Sequence, residues 1–440
     1  MKKTFLHIMK DPDKLVWLIV LLNLIGSLIF FWVIGPDALS SSDDVGYLDG
    51  GRFFVRSGYL AVWENAPTAA IMPAMAVITG LAASIFGEGT LYIASVKLLF
   101  ILLGCLIPLF FYRGCTVFIP KWYALLTACA FLCPTHLWAN GLVLTETPYL
   151  LFSTMCLYYT FQMGRSQEKK FLWRYCLSFL LALSFRANIV TMPIFTWIYL
   201  LLIRKYSIRE LLRRLGTLVL VSMVLILPWT IRNYIQFQAF IPLTYGTYHP
   251  VNMGTYEGYG CPPDEELDYV RYVDEPFMED YGHYFNEDGS CKDPEQDFFL
   301  GHMRLKYKAE YRISQWMERD LPGFLYSYLI YKPMSMLNWV WYWGPADHIV
   351  LPLMGILGKI NLLLCGLGLC LSWILKQKRE ILLYLLGMYG INTYILATAT
   401  VTARYASMNL PLRYMAAGVG IWLMVEAVRK LKTGKKEIVS

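Results

Sequence analysis

Long runs of hydrophobic residues alternate with short polar segments along almost the whole chain. A helix needs about 20 apolar residues to cross a bilayer, and Leu15–Ile34 and Leu91–Tyr112 reach that length. Pro73–Phe86 lies between them and is only about 14 residues long, so we expect it at the outer interface rather than across the membrane. The pattern predicts a bundle of membrane-spanning helices with interfacial helices between some of them.

Basic residues set the predicted direction of each crossing, because Lys and Arg collect on the cytoplasmic side. They precede the first run, and they flank both Trp122–Met163 and Phe171–Ile203. Each of these segments must therefore cross twice, with outer turns near His136–Thr147 and Arg186. The predicted cytoplasmic N-terminus carries Lys2, Lys3, Lys10 and Lys14.

The second half of the chain completes the predicted topology. The basic stretch Arg204–Arg214 is expected to form a helix on the cytoplasmic lipid surface. After it, Leu215–Tyr234 crosses outward into an acidic polar region that extends from about residue 236 to 320. The aromatic stretch Leu321–Trp343 suits the membrane interface. The remaining predicted spans are Ile349–Leu375, Ile381–Thr400 and Tyr405–Val428.

These segments predict an all-α polytopic membrane protein with about ten transmembrane helices. Both termini are expected in the cytoplasm, and the protein in a cell membrane, the bacterial cytoplasmic membrane. Residues 1–235 form an N-terminal transmembrane module whose first outer loop, residues 35–90, carries the candidate catalytic groups. Residues 236–345 form the extracytoplasmic loop with its interfacial helices, and residues 346–440 the C-terminal transmembrane helices.

Composition agrees with a membrane protein and argues against nucleic acid as a partner. Charged residues make up 16% of the chain and hydrophobic residues 57%, whereas soluble domains carry roughly 25% charged residues. The net charge of +7 lies mainly in short segments between hydrophobic runs, so it reflects topology. Cys261 and Cys291 lie in the long polar region and could form a disulfide if that region is extracytoplasmic.

Ionisable residues collect at the predicted outer ends of the spans. Such residues are costly at membrane depth and are functional candidates by default. Arg grips phosphate in a bidentate fork, and a carboxylate can take a proton from an attacking hydroxyl. Together they suit a sugar donor linked to a polyprenyl phosphate, with its tail in the bilayer. The candidates are Asp43, Asp44, Glu146, Arg186, Arg232 and Arg404.

Each candidate also has a simpler structural interpretation. Asp43–Asp44 could form a solvated turn or cap the helix that begins near Val45, although their position favours catalysis. Glu146 would serve equally as a cap of the helix after Pro148. Arg186 would reach the interface without touching substrate, and Arg232 is more plausibly a marker of the membrane boundary. Among the arginines, only Arg404 is favoured as a contact of the donor phosphate.

The order of these motifs resembles the GT-C superfamily of membrane glycosyltransferases, especially family 39, which includes protein O-mannosyltransferases. The chain is also similar to the bacterial aminoarabinose transferases that act on lipid A. The likeness covers most of the chain. The matching motifs are Asp43-Asp44-x-x-Tyr47, Pro67-Thr68, Met72-Pro73 before Phe86-Gly87, Thr145-Glu146-Thr147-Pro148, Arg186, Leu227-Pro228-Trp229-Thr230-Ile231-Arg232-Asn233 and Arg404-Tyr405.

The resemblance implies an inverting transfer from a polyprenyl-monophosphate sugar at the extracytoplasmic face. The first acid of the pair, Asp43, would be the base. Tyr47 and Tyr405 would bind substrate beside the other candidates. The aminoarabinose transferases carry Lys-Pro-Pro where this chain has Ile71-Met72-Pro73, which makes lipid A a less favoured acceptor. The loop from Tyr245 to Asp320 is expected to shape the acceptor site.

Two other functions stay open at this point. A transporter or flippase of lipid-linked sugars predicts charges along a central path and matching halves, neither of which the sequence displays. An enzyme like the O-antigen ligases would use a diphosphate lipid donor, and the acid pair after the first span argues only weakly against it. No cofactor is assigned, and a divalent metal beside Asp43 is left open. The expected partners are the lipid-linked donor, membrane lipid and an extracytoplasmic acceptor.

Overall fold

The structure is a computed structural model that describes residues 11–63 and 66–438. Within these ranges the regular elements are helices, and β-pairing is limited to two isolated bridges, Ala61 with Pro67 and Phe285 with Cys291. The expectation of an all-α fold is therefore confirmed. Lys2, Lys3 and Lys10, which supported the predicted orientation of the N-terminus, lie outside the described residues.

Twenty α-helices make up the described chain, and short 3₁₀ and π segments join some of them. They are α1 Pro12–Ile34, α2 Ser42–Ser57, α3 Ala74–Phe86, α4 Thr90–Gly104, α5 Ile107–Cys115, α6 Lys121–Ala128, α7 Pro134–Ala139, α8 Glu146–Arg165, α9 Lys169–Phe185, α10 Thr191–Leu202, α11 Ile208–Phe237, α12 Tyr248–Gly254, α13 Glu275–Tyr281, α14 Asp297–Arg319, α15 Leu321–Tyr326, α16 Lys332–Leu337, α17 Asp347–Leu375, α18 Arg379–Ala399, α19 Ala403–Ser407 and α20 Leu410–Ile438.

Five helical segments in the described chain are long and apolar enough to cross a membrane. They are α1, the joined pair α4–α5, α11, α17 and α18. The helices α9 and α10 are shorter, at 17 and 12 residues, and are separated by Arg186, whose backbone is extended, and by the 3₁₀ turn Ala187–Val190. This break lies where the predicted hairpin turns. The total of about ten spans stays a prediction.

One predicted element is wrong. The basic stretch Arg204–Arg214 was expected to be a separate helix on the lipid surface, but α11 continues without a break from Ile208 to Phe237. The hydroxyl of Ser207 caps it, accepting from the amide of Glu210 at 3.3 Å. The basic residues therefore extend the spanning helix at its N-terminal end.

The helices around the candidate site pack closely in pairs. The helix α8 packs against α5 and α9, and α17 packs against α20. Gly368 and Gly420 let the last two approach, since a Cβ on Gly368 would lie 2.7 Å from the Cα of Gly420. Small residues at such crossings permit the dense backbone packing that holds helices together in lipid.

The long polar region contains the helices α12, α13 and α14. The buried Arg312 on α14 fastens it, donating from Nε to the hydroxyl of Thr255 at 2.8 Å and from Nη2 to the carbonyl of Pro262 at 2.9 Å. Its guanidinium also stacks 3.6 Å above the ring of Tyr256. Cys261 and Cys291, the candidate disulfide pair, are both free thiols.

Candidate active site

The loop after α1 leads into α2, where the two adjacent acids make different contacts. Ser41 is the N-cap residue, and its hydroxyl accepts from the amide of Asp44 at 3.2 Å. The carboxylate of Asp44 turns back and accepts from the Ser40 amide at 3.1 Å and the Ser41 hydroxyl at 2.8 Å. Asp44 is fully buried, and this burial raises its pKa. Ser41 and Asp44 therefore close the N-terminus of α2 together, in a variant of the capping box in which the Ser40 amide replaces the amide of the N-cap residue.

Asp43 faces away from the cap, and 27% of its side chain is exposed. One oxygen accepts from the indole N–H of Trp63 at 3.2 Å. The other is paired with the guanidinium of Arg404. Since a carboxylate has about four lone-pair sites, Asp43 keeps the capacity to accept another hydrogen bond.

Trp63 is held in a conformation that bulky residues rarely adopt, with a φ of 64°. Its amide donates to the Gly46 carbonyl at 3.0 Å, and its ring packs 5.4 Å from that of Tyr47. Only glycine fits at position 46, because a Cβ there would lie 2.0 Å from the indole. These contacts fix the indole N–H against Asp43.

Glu146 begins α8 and is almost completely buried, with 1% of its side chain exposed. Arg404 donates to it in a fork, from Nε at 2.5 Å and from Nη2 at 3.1 Å. Arg186 donates to the same carboxylate at 2.8 Å and to the hydroxyl of Thr145 at 2.8 Å. Burial alone would raise the pKa of Glu146, but the two guanidinium groups hold it below its ordinary value.

Asp43, Glu146, Arg186 and Arg404 therefore form one cluster, which we call the acid–arginine cluster. Two carboxylates balance two guanidinium groups, as buried charges require. The sequence separations are large: Arg404 lies 258 residues after Glu146 and 361 residues after Asp43. Tyr405 adjoins the cluster, with its ring 5.2 Å from the guanidinium of Arg186.

Arg232 lies apart from this cluster. Its guanidinium donates to the carbonyls of Thr68 at 3.0 Å and Leu60 at 3.3 Å, and it stacks 5.2 Å from the ring of Trp229. Both carbonyls belong to the loop that carries Trp63. Arg232 thus supports the loop, and a direct contact with substrate stays a prediction.

Glu257 is a positioning residue that the sequence did not single out. Its carboxylate accepts from the Thr400 hydroxyl at 2.6 Å and from the Val401 amide at 2.8 Å. These residues lie between α18 and the short helix α19, which carries Arg404. The long loop therefore fixes the backbone from which Arg404 reaches the cluster.

In the described part of the chain, no group of three or more His, Cys, Asp or Glu side chains is arranged to hold a metal ion. The position between the two carboxylates of the cluster is filled by Arg404. The side chains around this position therefore form an ion-pair network.

The fold and the cluster define the class of protein: an all-helical membrane protein with paired acids and arginines where its helices end. No family model matches the chain, and no curated protein matches it.

Solved structures that resemble this protein include two of ArnT from Cupriavidus metallidurans. The one bound to undecaprenyl phosphate is 14% identical and has a TM-score of 0.42, with 92% of this chain and 78% of that chain covered. The apo structure is 13% identical and has a TM-score of 0.43, with 92% and 77% covered. A likeness this distant carries no argument about the site, so the assignment of function depends on the side chains.

Proposed function

We propose that this protein is a membrane glycosyltransferase that moves a sugar from a polyprenyl-phosphate donor to an acceptor outside the cytoplasm. Asp43 is the general base, and the reaction inverts the anomeric centre. The observation that carries the proposal is a partly exposed carboxylate oriented by an indole N–H and a buried guanidinium, beside a second acid that is fully paired.

The chemistry needs one base at the acceptor and a stable leaving group at the donor. The acceptor hydroxyl gives its proton to the carboxylate of Asp43 as its oxygen attacks the anomeric carbon of the sugar. The bond from that carbon to the phosphate oxygen breaks, and the electron pair stays on the polyprenyl phosphate. Because this phosphate leaves as a stable anion, no general acid is required.

Glu146 has a different role from Asp43. It is buried, and each of its oxygens already accepts from Arg404. It therefore holds the guanidinium that orients Asp43, and so acts as a positioning residue. This division matches the general pattern in which neighbouring carboxylates take different roles because their environments differ.

The experiment compares sugar transfer in membranes of a deletion strain that carries wild-type protein, Asp43→Asn or Asp44→Asn. Removing a general base typically costs about 100- to 10,000-fold in rate, so we expect Asp43→Asn to be inactive at equal expression. Asp44→Asn should keep most of its transfer, since an amide oxygen can still accept a hydrogen bond of the cap.

Full transfer by a folded Asp43→Asn variant would overturn the proposal and favour a transporter of lipid-linked sugars, which needs no base. Loss of transfer in Asp44→Asn alone would move the base to the other acid. A donor series with monophosphate and diphosphate lipids separates the proposed reaction from that of a diphosphate-dependent ligase.

A further inference from the structure

A lysine is buried in α4, beside the loop that leads to Asp43. Lys97 is the only charged residue of this apolar helix, and only 4% of it is exposed. A charged side chain at membrane depth is costly and is a functional candidate by default. A lysine that served only as an interfacial anchor would extend its ammonium into water, whereas protein encloses this one. Its role therefore depends on the groups that it contacts.

The ammonium of Lys97 binds the backbone of the loop between α1 and α2. It donates to the carbonyl of Gly35 at 3.2 Å and to the carbonyl of Ala38. The Gly35 carbonyl also accepts from the Ala38 amide at 3.3 Å. Gly35 has a φ of 115°, which favours glycine, so the chain turns sharply where α1 ends. Two of the three donors of the ammonium thus hold this turn.

A buried acid holds the other end of the same loop. Asp44 accepts from the Ser40 amide at 3.1 Å and from the Ser41 hydroxyl at 2.8 Å. The loop therefore presents carbonyls to a cation and an N–H and an O–H to an anion, and the two charges attract each other across it. Because buried charges need compensation, each supports the other. We call Lys97, residues 35–41 and Asp44 the loop clamp.

The space beside Lys97 does not suit a lipid phosphate. A cavity of about 10 Å³ adjoins the ammonium, and Ser40 and Trp138 are among the residues that line it. This volume is room for about one water molecule. A phosphate group is several times larger, so the geometry favours a role on the loop rather than a contact with the donor.

Asp43 precedes Asp44 in the first turn of α2, so a shift of the loop moves the proposed base with it. We propose that Lys97 is a positioning residue for transfer, because it holds the loop that sets the N-terminus of α2 and thereby the direction of Asp43. The role in transfer rests on the proposed function, but the loop clamp itself does not. Misplacing a reacting group by about 1 Å can cost on the order of 100-fold in rate.

The test measures amide hydrogen exchange of residues 36–44 by mass spectrometry, on purified full-length protein in phosphatidylcholine nanodiscs. Lys97→Met removes a donor from two carbonyls and one of the charges that compensate Asp44. Removing one member of a set of buried charges is strongly destabilising, so this exchange should become about tenfold faster or more. Sugar transfer in membranes of the deletion strain should fall by about 10- to 100-fold at equal expression.

Three further variants separate the loop clamp from general destabilisation. Lys97→Met/Asp44→Asn removes both buried charges, so it should recover part of the protection and transfer that Lys97→Met loses. Lys97→Arg keeps the charge and the donors and should be intermediate. Lys292→Met is the matched control, because Lys292 also donates to a backbone carbonyl, that of His283 at 2.9 Å, but is exposed. It should behave like wild type.

Unchanged exchange or unchanged transfer in a folded Lys97→Met variant overturns the proposal. An equal loss in Lys292→Met, or a double variant that loses the full sum of the single losses, also contradicts it. If Lys97→Met does not fold, the double variant should still fold, and failure of both would refute the balance of charges in the loop clamp. Exchange needs no turnover, so faster exchange in Lys97→Met with full transfer by Asp43→Asn would refute the proposed function and leave the loop clamp standing.

Discussion

Glu146 is the residue on which the charge balance of the site depends. Changing it to Gln keeps the size of the side chain but, among the described residues, leaves Arg186 without a carboxylate partner and Arg404 paired with Asp43 alone. Removing one partner of a buried ion pair typically costs about 3–5 kcal/mol. Glu146 is buried and meets both arginines at 2.5–3.1 Å, so we expect Glu146→Gln to lose stability in this range.

The assay is unfolding by SDS in mixed micelles, followed by tryptophan fluorescence. The double variant Glu146→Gln/Arg186→Gln removes the excess positive charge. Its loss in free energy of unfolding should therefore be smaller than the sum of the losses in the two single variants, by about 1 kcal/mol or more. Glu88→Gln is the matched control. It breaks an ion pair between Glu88 and Arg56 on the exposed surface, and surface pairs contribute little, so no measurable change is expected.

The effect of Glu146→Gln should also depend on pH in a defined direction. The pKa of Glu146 is lower in the folded protein than its ordinary value, so its contribution to stability is present above the unfolded pKa of about 4.3. That contribution is lost as the pH falls through the folded pKa. The difference in the free energy of unfolding between wild type and Glu146→Gln should therefore be largest at pH 7 and decrease below about pH 4. Equal stability of the two proteins at pH 7 would refute the ion-pair reasoning.

Two further substitutions test how Asp43 and Arg404 are positioned. Trp63→Phe keeps the ring packing but removes the N–H that reaches Asp43 at 3.2 Å. Losing this hydrogen bond, at about 1.5 kcal/mol, corresponds to roughly tenfold slower transfer. An unchanged kcat would contradict this role of Trp63. Glu257→Gln weakens the bonds to Thr400 and Val401, so amide hydrogen exchange around residues 400–405 should quicken and kcat should fall. Unchanged exchange there would mean that the loop does not hold α19.

The clustering of the charged residues could be predicted from the sequence because the membrane topology limits where each residue can lie. Once basic segments set the predicted direction of each crossing, Asp43, Glu146, Arg186 and Arg404 all fall at the outer ends of predicted spans. Groups at the same end of a bundle have few alternatives to pairing, since an unpaired charge at this depth is costly. The structure brings these four side chains together.

The residues that the sequence did not reveal depend on contacts between distant segments. Trp63 reaches Asp43 only because Gly46 leaves room for the indole, and no local pattern encodes that fit. Arg232 donates to two carbonyls of the loop that carries Trp63, and hydropathy alone could not predict this contact.

The large sequence separations in the cluster have a consequence for biosynthesis. Glu146 and Arg186 are 40 residues apart and emerge from the ribosome almost together, so this pair can form early. Arg404 follows Glu146 by 258 residues, which takes about 13–50 s at roughly 5–20 residues per second. Until then Asp43 has no arginine, and the nascent protein carries an unbalanced carboxylate at the membrane surface. The segment that carries α19 therefore completes the acid–arginine cluster, and a ribosome that stops before Arg404 leaves the cluster incomplete.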